Sequence, residues 1–242
     1  AIEDLRKYMD ENNLTKGHVY VSAGRYTPTT ATPGGDGTLY TSFILYDGIS
    51  VYGGFNPDTP EDKPGDRVLT NGSTVGTAKG ETWLLKHETI LSGNHTSTTG
   101  NPLTWDSGKN EYTETFTGNS YHVVWFASAG FDDATNRAKA LGETAVLDGF
   151  TIRDGQSSNR ITPAANDGSH AYHNSYGGGV YMVAGSEVRN CFITQNASTL
   201  RGGGVYMDGG GLLEQCYVIR NQSAGVGVTD GYGGGVAMDD GG

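Results

Sequence analysis

The chain has 242 residues, a formal net charge of −11, and 39 glycines against 7 prolines. That much glycine without a Gly-X-Y period or abundant proline excludes collagen and Pro-rich disorder. The acidic balance argues against nucleic acid as a partner, since phosphate backbones repel it, and no apolar run is long enough to span a membrane as a helix. Hydrophobic residues make up only 35% of the chain. They are gathered in short runs such as HVYVS, SFILY and YHVVWF, which suit a narrow core.

Ile2 to Asn13 reads as a short amphipathic helix, with Ile2, Leu5 and Met9 on one face and Glu3 and Asp4 near the favourable N-terminal end. A helix in this position is expected to plug an otherwise open apolar end of the fold. Strands are expected at His18 to Ser22, Ser42 to Tyr46, Ile49 to Tyr52, Thr89 to Ser92, Tyr121 to Phe126, Ala145 to Leu147 and Phe150 to Ile152. Between them lie long polar stretches, Asn56 to Arg67, Asn94 to Thr115 and Ala127 to Gly142. Loops of this length argue against a compact sheet. A solenoid accepts them, because insertions project from a coil without breaking the stack.

The strongest pattern is a repeat. GGGVYM occurs at Gly177 to Met182 and Gly202 to Met207, and GGGVAM at Gly233 to Met238. The first two are followed at the same distance by VRNCFITQN (Val188 to Asn196) and LEQCYVIRN (Leu213 to Asn221), with LDGFTIRDG (Leu147 to Gly155) as an earlier copy. Stacking these copies aligns Leu147 with Val188 and Leu213, Phe150 with Cys191 and Cys216, and Ile152 with Ile193 and Val218. Alternation predicts that the Val and Met columns point inward and that Tyr181 and Tyr206 point outward. Asn196 and Asn221 are expected as left-handed turn residues or as an amide ladder. Cys191 and Cys216 fall one above the other without any zinc spacing, which favours a buried thiol ladder; a disulfide requires an oxidising compartment and suitable geometry. The fold class expected is all-β, a parallel β-helix, in one domain. Residues 1–17 form the helical cap, 18–155 irregular coils with insertions, and 177–242 regular coils. The absence of an initial Met reads as a removed leader or an excised piece, and the final Asp-Asp-Gly-Gly falls in mid-coil, which implies continuation beyond residue 242.

These residues resemble the right-handed parallel β-helix, pectin-lyase-like surface proteins common in Bacteroidetes and related to polymorphic outer-membrane protein repeats. The resemblance rests on HVYVSAGRYTPT after a helix, then SFILYDGISVYGGF, ETILSG, NSYHVV, AVLDGFTIRDG and the GGGVYM units, in that order. It implies a right-handed coil and a secreted or cell-surface, outer-membrane-associated, adhesin-like protein. It does not imply an activity, since the fold carries lyases, polygalacturonases and inert shafts alike.

Chemistry was sought in four places. The adjacent pairs Asp132-Asp133 and Asp239-Asp240 cannot flank a glycosidic bond from neighbouring strand positions, and the NTD, GHG and RIK elements of polygalacturonases are absent. Asp208 and Asp239 share a column about 4.8 Å apart if stacked, which makes them the candidate calcium ligands, against the simpler reading of two turn caps in water. Tyr181 and Tyr206 are the candidate sugar platform, with cross-strand packing as the alternative. His170 and His173 lie in the polar insertion before the glycine units, the best recognition loop in the chain. The expected function is a non-catalytic, glycan-binding or adhesin-like protein whose partner is a polysaccharide or cell-surface glycan. A polysaccharide lyase or glycoside hydrolase acting on an acidic polysaccharide is the alternative, and a structural spacer the third reading.

Overall fold

The computed structural model describes residues 1–32, 38–59, 63–77, 84–96, 104–106, 111–113, 118–127, 131–132, 137–138, 140–157, 175–223 and 232–239. An α-helix spans Ile2–Asn12 and ends at Asn13, whose left-handed backbone (φ 54°) lets the Leu14 N–H reach back to the Met9 carbonyl at 2.9 Å. Met9 is buried, and Ile2 and Leu5 pack against the same core, so the expected apolar face is the one that docks.

The chain is mostly β, and its strands pair into parallel sheets as it visits four walls in turn. The first wall stacks Gly17–Ser22, Ile49–Phe55, Ala145–Asp148, Ser186–Arg189 and Leu212–Glu214. The second stacks Gly24–Tyr26, Thr89–Ser92, Thr151–Arg153, Phe192–Thr194 and Tyr217–Ile219. A narrow third wall is made of Gln156–Ser157, Ala197–Ser198 and Gln222–Ser223. The fourth runs Thr41–Leu45, Val124–Phe126, Val180–Val183, Val205–Asp208 and Val236–Asp239, with Thr30–Ala31 added antiparallel to its first strand. Each parallel wall strand therefore pairs with its counterpart one circuit away, an arrangement compatible with a β-helix-like solenoid, while Thr104–Asp106 with Glu111–Thr113 and Phe131–Asp132 with Arg137–Ala138 form separate antiparallel pairs. The long polar stretches fall between these strands, as insertions.

Register follows the repeat. Leu147 pairs with Val188 and Val188 with Leu213; Ile152 pairs with Ile193 and Ile193 with Val218; Val180, Val205 and Val236 form one row and Met182, Met207 and Met238 another. Val180, Met182, Val188, Ile193 and Val205 are fully buried. Each such side chain contributes about 1.5–3 kcal/mol on removal from water. The glycine triplets are what let the walls close on one another. Gly177, Gly202 and Gly233 all take φ near 60°, and a Cβ on Gly178 or Gly203 would sit 2.1 or 2.0 Å from the Ala197 or Gln222 carbonyl oxygen. Only glycine fits either position.

The tight turns are equally regular. Asn190 and Gln215 (both φ 50°) turn the chain from the first wall to the second, and Gln195 (56°) and Arg220 (53°) from the second to the third. The left-handed conformation expected at Asn196 and Asn221 thus sits one residue earlier, and the asparagines form the amide ladder instead. Asn196 Nδ2 donates to the Ile152 and Thr194 carbonyls and to Asn221 Oδ1, each at 3.0 Å. Asn196 Oδ1 accepts the Gly155 N–H at 2.9 Å, and Asn221 Oδ1 accepts the Asn196 N–H at 3.0 Å. Cys191 and Cys216 are free thiols, stacked as the repeat requires. Asp148, Arg189 and Glu214 form one row of charges; Arg189 lies 3.5 Å from Glu214, but Asp148 turns to a different partner, described below.

Replacing Asn196 with Ala removes a fully buried amide and strands the Gly155 N–H and two carbonyls. The expected loss is about 3 kcal/mol of unfolding free energy, read as a lower urea midpoint with unchanged m-value; Asn221→Ala, in a less buried rung, should cost less.

Candidate functional site

The outward tyrosine column exists, but it is not a solvent-facing platform. Tyr181 pairs with Tyr206 in register, yet their exposures are 0% and 4%. The alternation does turn both rings away from the Val and Met rows; Trp125, in register with Tyr181, continues their column, and Tyr176 and His122 pack against it. Tyr181 stacks on Trp125 at 4.4 Å with an interplanar angle of 10°, and Tyr206 stacks on Tyr176 at 4.7 Å and 21°. His122 packs edge-on to Tyr181 at 5.7 Å. This corrects the expectation of an exposed sugar-stacking surface at Tyr181 and Tyr206, because no face of Tyr181 is left for a ligand.

Asp208 and Asp239 do share a row, as expected. Their partners answer the repulsion between them without a cation. Tyr181 donates to Asp208 Oδ2 at 2.6 Å, Tyr206 donates to Asp239 Oδ2 at 2.8 Å, and Arg201 Nη1 lies 2.6 Å from Asp239 Oδ1. Asp208 is only 3% exposed, so it does not splay into water either. Calcium takes six to eight oxygens. Two carboxylates already committed to phenols and a guanidinium do not fit that ion, and no group of three or more His, Cys, Asp or Glu converges among the described residues. Burial first, and then the acidic partner, hold both phenols well above the ordinary tyrosine value. His170 and His173 lie outside the described residues, as does Asp133.

A different place on the wall combines concavity with exposed functional groups. Residues 67–77 and 84–86 contribute an arm folded by antiparallel bridges between Val68 and Thr74 and between Leu69 and Leu85, and it lies against the first and second walls. Its anchor is Arg67, 1% exposed. Arg67 Nη2 donates to Asp148 Oδ1 at 2.8 Å, Nη1 to the Gly53 carbonyl at 2.8 Å, and Nε to the Pro64 carbonyl at 2.6 Å. The guanidinium also lies 5.6 Å from the Tyr52 ring centre and 5.8 Å from that of Phe55. Glycine makes room for it: a Cβ on Gly149 (φ 86°) would sit 2.5 Å from Arg67 Nη1 and 2.6 Å from Leu85.

Between arm and wall runs an open groove of about 390 Å³. Phe192 and Thr151 line its wall side, with Asn190 at the turn; Thr70, Leu84, Leu85 and Lys86 line the arm side, and Glu88 leads into the wall strand. Thr151 donates to Glu88 Oε1 at 2.6 Å, and Asn190 Nδ2 donates to both Asp148 oxygens at 3.1 Å. An aromatic ring, a carboxylate, an ammonium, an amide and hydroxyls therefore converge on one concavity. Such a set offers ring packing and hydrogen bonding within one concavity. Glu88 is the only carboxylate lining it among the described residues, and Asp148 behind it is held by Arg67. None of these residues was singled out from the sequence. The signal that marks them is the pair Gly53-Gly54 beside Gly149, where two successive coils of the first wall lose their side chains at the same height.

Two consequences are measurable. Arg67→Met leaves Asp148 buried with only the Asn190 amide, an expected cost of about 3 kcal/mol, accompanied by faster limited proteolysis of the arm that Arg67 anchors. Because the folded-state values of the Tyr181 and Tyr206 phenols are raised, the native state holds protons that the unfolded chain releases near pH 10. Their contribution is fully present below that pH and falls as pH rises above it. The melting temperature should drop from about pH 10 upward, and Tyr206→Phe should shallow that alkaline decline. Comparisons with protein-family models, with curated proteins and with solved structures found no match to this chain.

Proposed function

We propose that this protein is a non-catalytic glycan-binding solenoid, secreted or displayed at a cell surface in the manner of an adhesin. In this reading its parallel walls are those of a right-handed, pectin-lyase-like β-helix forming a single domain. Its ligand lies along the groove between the arm at Thr70 and Leu84 to Lys86 and the wall at Thr151 and Phe192. The observation that carries the reading is the composition of that groove: an aromatic floor ringed by mixed hydrogen-bonding groups, with Glu88 its one carboxylate among the described residues. Hydrolysis of a glycosidic bond ordinarily uses two carboxyl groups facing each other across the substrate. One carboxylate hydrogen-bonded to Thr151 supports recognition rather than cleavage.

The net charge of −11 adds a preference. A strongly acidic polysaccharide would be repelled on approach, so neutral or amino-bearing glycans suit the surface better. The absence of a helix long and apolar enough to cross a membrane among the described residues is compatible with this setting and does not define it.

Binding is tested by affinity electrophoresis of the chain against a panel of neutral, amino-bearing and uronate-rich polysaccharides. Retardation by a neutral or amino-bearing glycan is expected, weakened roughly tenfold in Phe192→Ala, equivalent to about 1.4 kcal/mol, without release of reducing ends. Appearance of shortened or unsaturated products would instead favour a polysaccharide hydrolase or lyase. Absence of retardation across the panel would leave a structural spacer.

A further inference from the structure

The two cysteines stand at one height in consecutive coils, bracketed by exact pairing. Arg189 is in register with Glu214 on one side of them and Phe192 with Tyr217 on the other. The Asn190 N–H donates to the Glu214 carbonyl at 3.2 Å, and the Tyr217 N–H donates to the Cys191 carbonyl at 2.9 Å. The residue before each cysteine has φ 50°, so both Cα–Cβ bonds leave equivalent turns. Adjacent parallel strands lie about 4.7–4.9 Å apart. That falls inside the Cα separation of about 4.4–6.8 Å that a disulfide spans.

The pair is also asymmetric. Cys191 is fully buried in the core among Leu147, Val188 and Ile193, whereas Cys216 is partly exposed. A hydrogen bond between the two thiols lowers Cys216 below its ordinary value, while burial pushes Cys191 well above its own. A reagent in solution therefore meets Cys216 first, with Cys191 directly behind it.

We propose that Cys216 and Cys191 form a redox-active dithiol that reacts with low-molecular-weight disulfides, Cys216 as the attacking sulfur and Cys191 as the resolving one, and that the product is a covalent link between adjacent coils. The Cys216 thiolate attacks one sulfur of the small disulfide; a mixed disulfide forms and the first small thiolate leaves, taking up the proton that Cys216 lost. Cys191 then gives its proton to the second leaving sulfur and attacks Cys216 Sγ. The Cys191–Cys216 bond forms as the bond to the small thiol breaks. Two protein thiols are oxidised and one small disulfide is reduced to two thiols. Equivalent turns leave the two Cβ atoms at about the strand spacing, slightly wider than the 3.5–4.5 Å or so of a disulfide, so closure draws the two coils a few tenths of an ångström together. The inference is independent of what the groove binds.

The test equilibrates the intact chain with oxidised glutathione, quenches it by alkylation with a maleimide, and reads intact mass and melting temperature. The expected result is loss of both alkylatable thiols, a mass lower by two hydrogens, no interchain dimer, and a melting temperature raised by several degrees and restored by dithiothreitol. Cys191→Ser should instead retain one glutathione on Cys216, and Cys216→Ser should leave Cys191 reduced. Two thiols still alkylatable in the wild-type chain, a crosslinked dimer, or oxidation of Cys216→Ser at the wild-type rate would each overturn the assignment.

Discussion

Parallel pairing between strands one circuit apart makes vertical neighbours more important than sequence neighbours. Once Val180 is hydrogen-bonded level with Val205, and Val205 with Val236, every other residue of the circuit is held to a row as well. The constraint is demanding. A residue that is comfortable alone must also tolerate a copy of itself, or of its replacement, at the strand spacing of about 4.8 Å. Apolar rows meet it by burial. The asparagine row meets it because an amide carries both donor and acceptor, so each rung satisfies the next. Acidic rows do not meet it unaided, which is why Asp208 and Asp239 are the most informative residues on the fourth wall.

The protein's answer to those two carboxylates is a lattice of hydrogen-bond donors. Tyr181 and Tyr206 each reach to the aspartate in the next coil, and Arg201 closes the end of the series. The phenols must stay protonated to donate, and burial among Trp125, Tyr176 and His122 favours that neutral form. Aromatic stacking and carboxylate satisfaction are thus one device. This also explains why the tyrosines are unavailable to a ligand: a ring that shields a buried carboxylate cannot be moved aside without exposing the charge.

Much of this was legible in the sequence, and the failures have a common cause. The rows through Leu147, Val188 and Leu213, the N-terminal helix from Ile2, and the stacking of Cys191 on Cys216 all follow from spacing and alternation. Short wall strands such as Gly24–Tyr26 and Gln156–Ser157 carry too few residues to show a period of two. Alternation separates the faces of a strand, but it does not reveal what lies against the outer face. Val180 and Tyr181 occupy opposite faces and are equally buried. The partners of Tyr181 come from positions 122, 125 and 208, and no local pattern links those numbers. The partner of Asp148 is no more local, since Arg67 lies 81 residues away.

Asp148 shows how an insertion becomes part of the site. By column it belongs with Arg189 and Glu214, where an exposed ion pair contributes about 0–1 kcal/mol. It is instead buried beneath the arm, where an unpaired carboxylate would be far more costly, and a guanidinium with several donors is the group able to satisfy it. Arg67 therefore cannot leave without stranding Asp148, and the arm cannot drift while Arg67 stays. The small residues Gly53 and Gly149 complete the arrangement by giving the guanidinium a seat inside the wall. The groove walls at Thr70, Lys86 and Phe192 are thus held apart at a set distance by a buried charge pair behind them, the preorganisation on which the proposed glycan binding would draw.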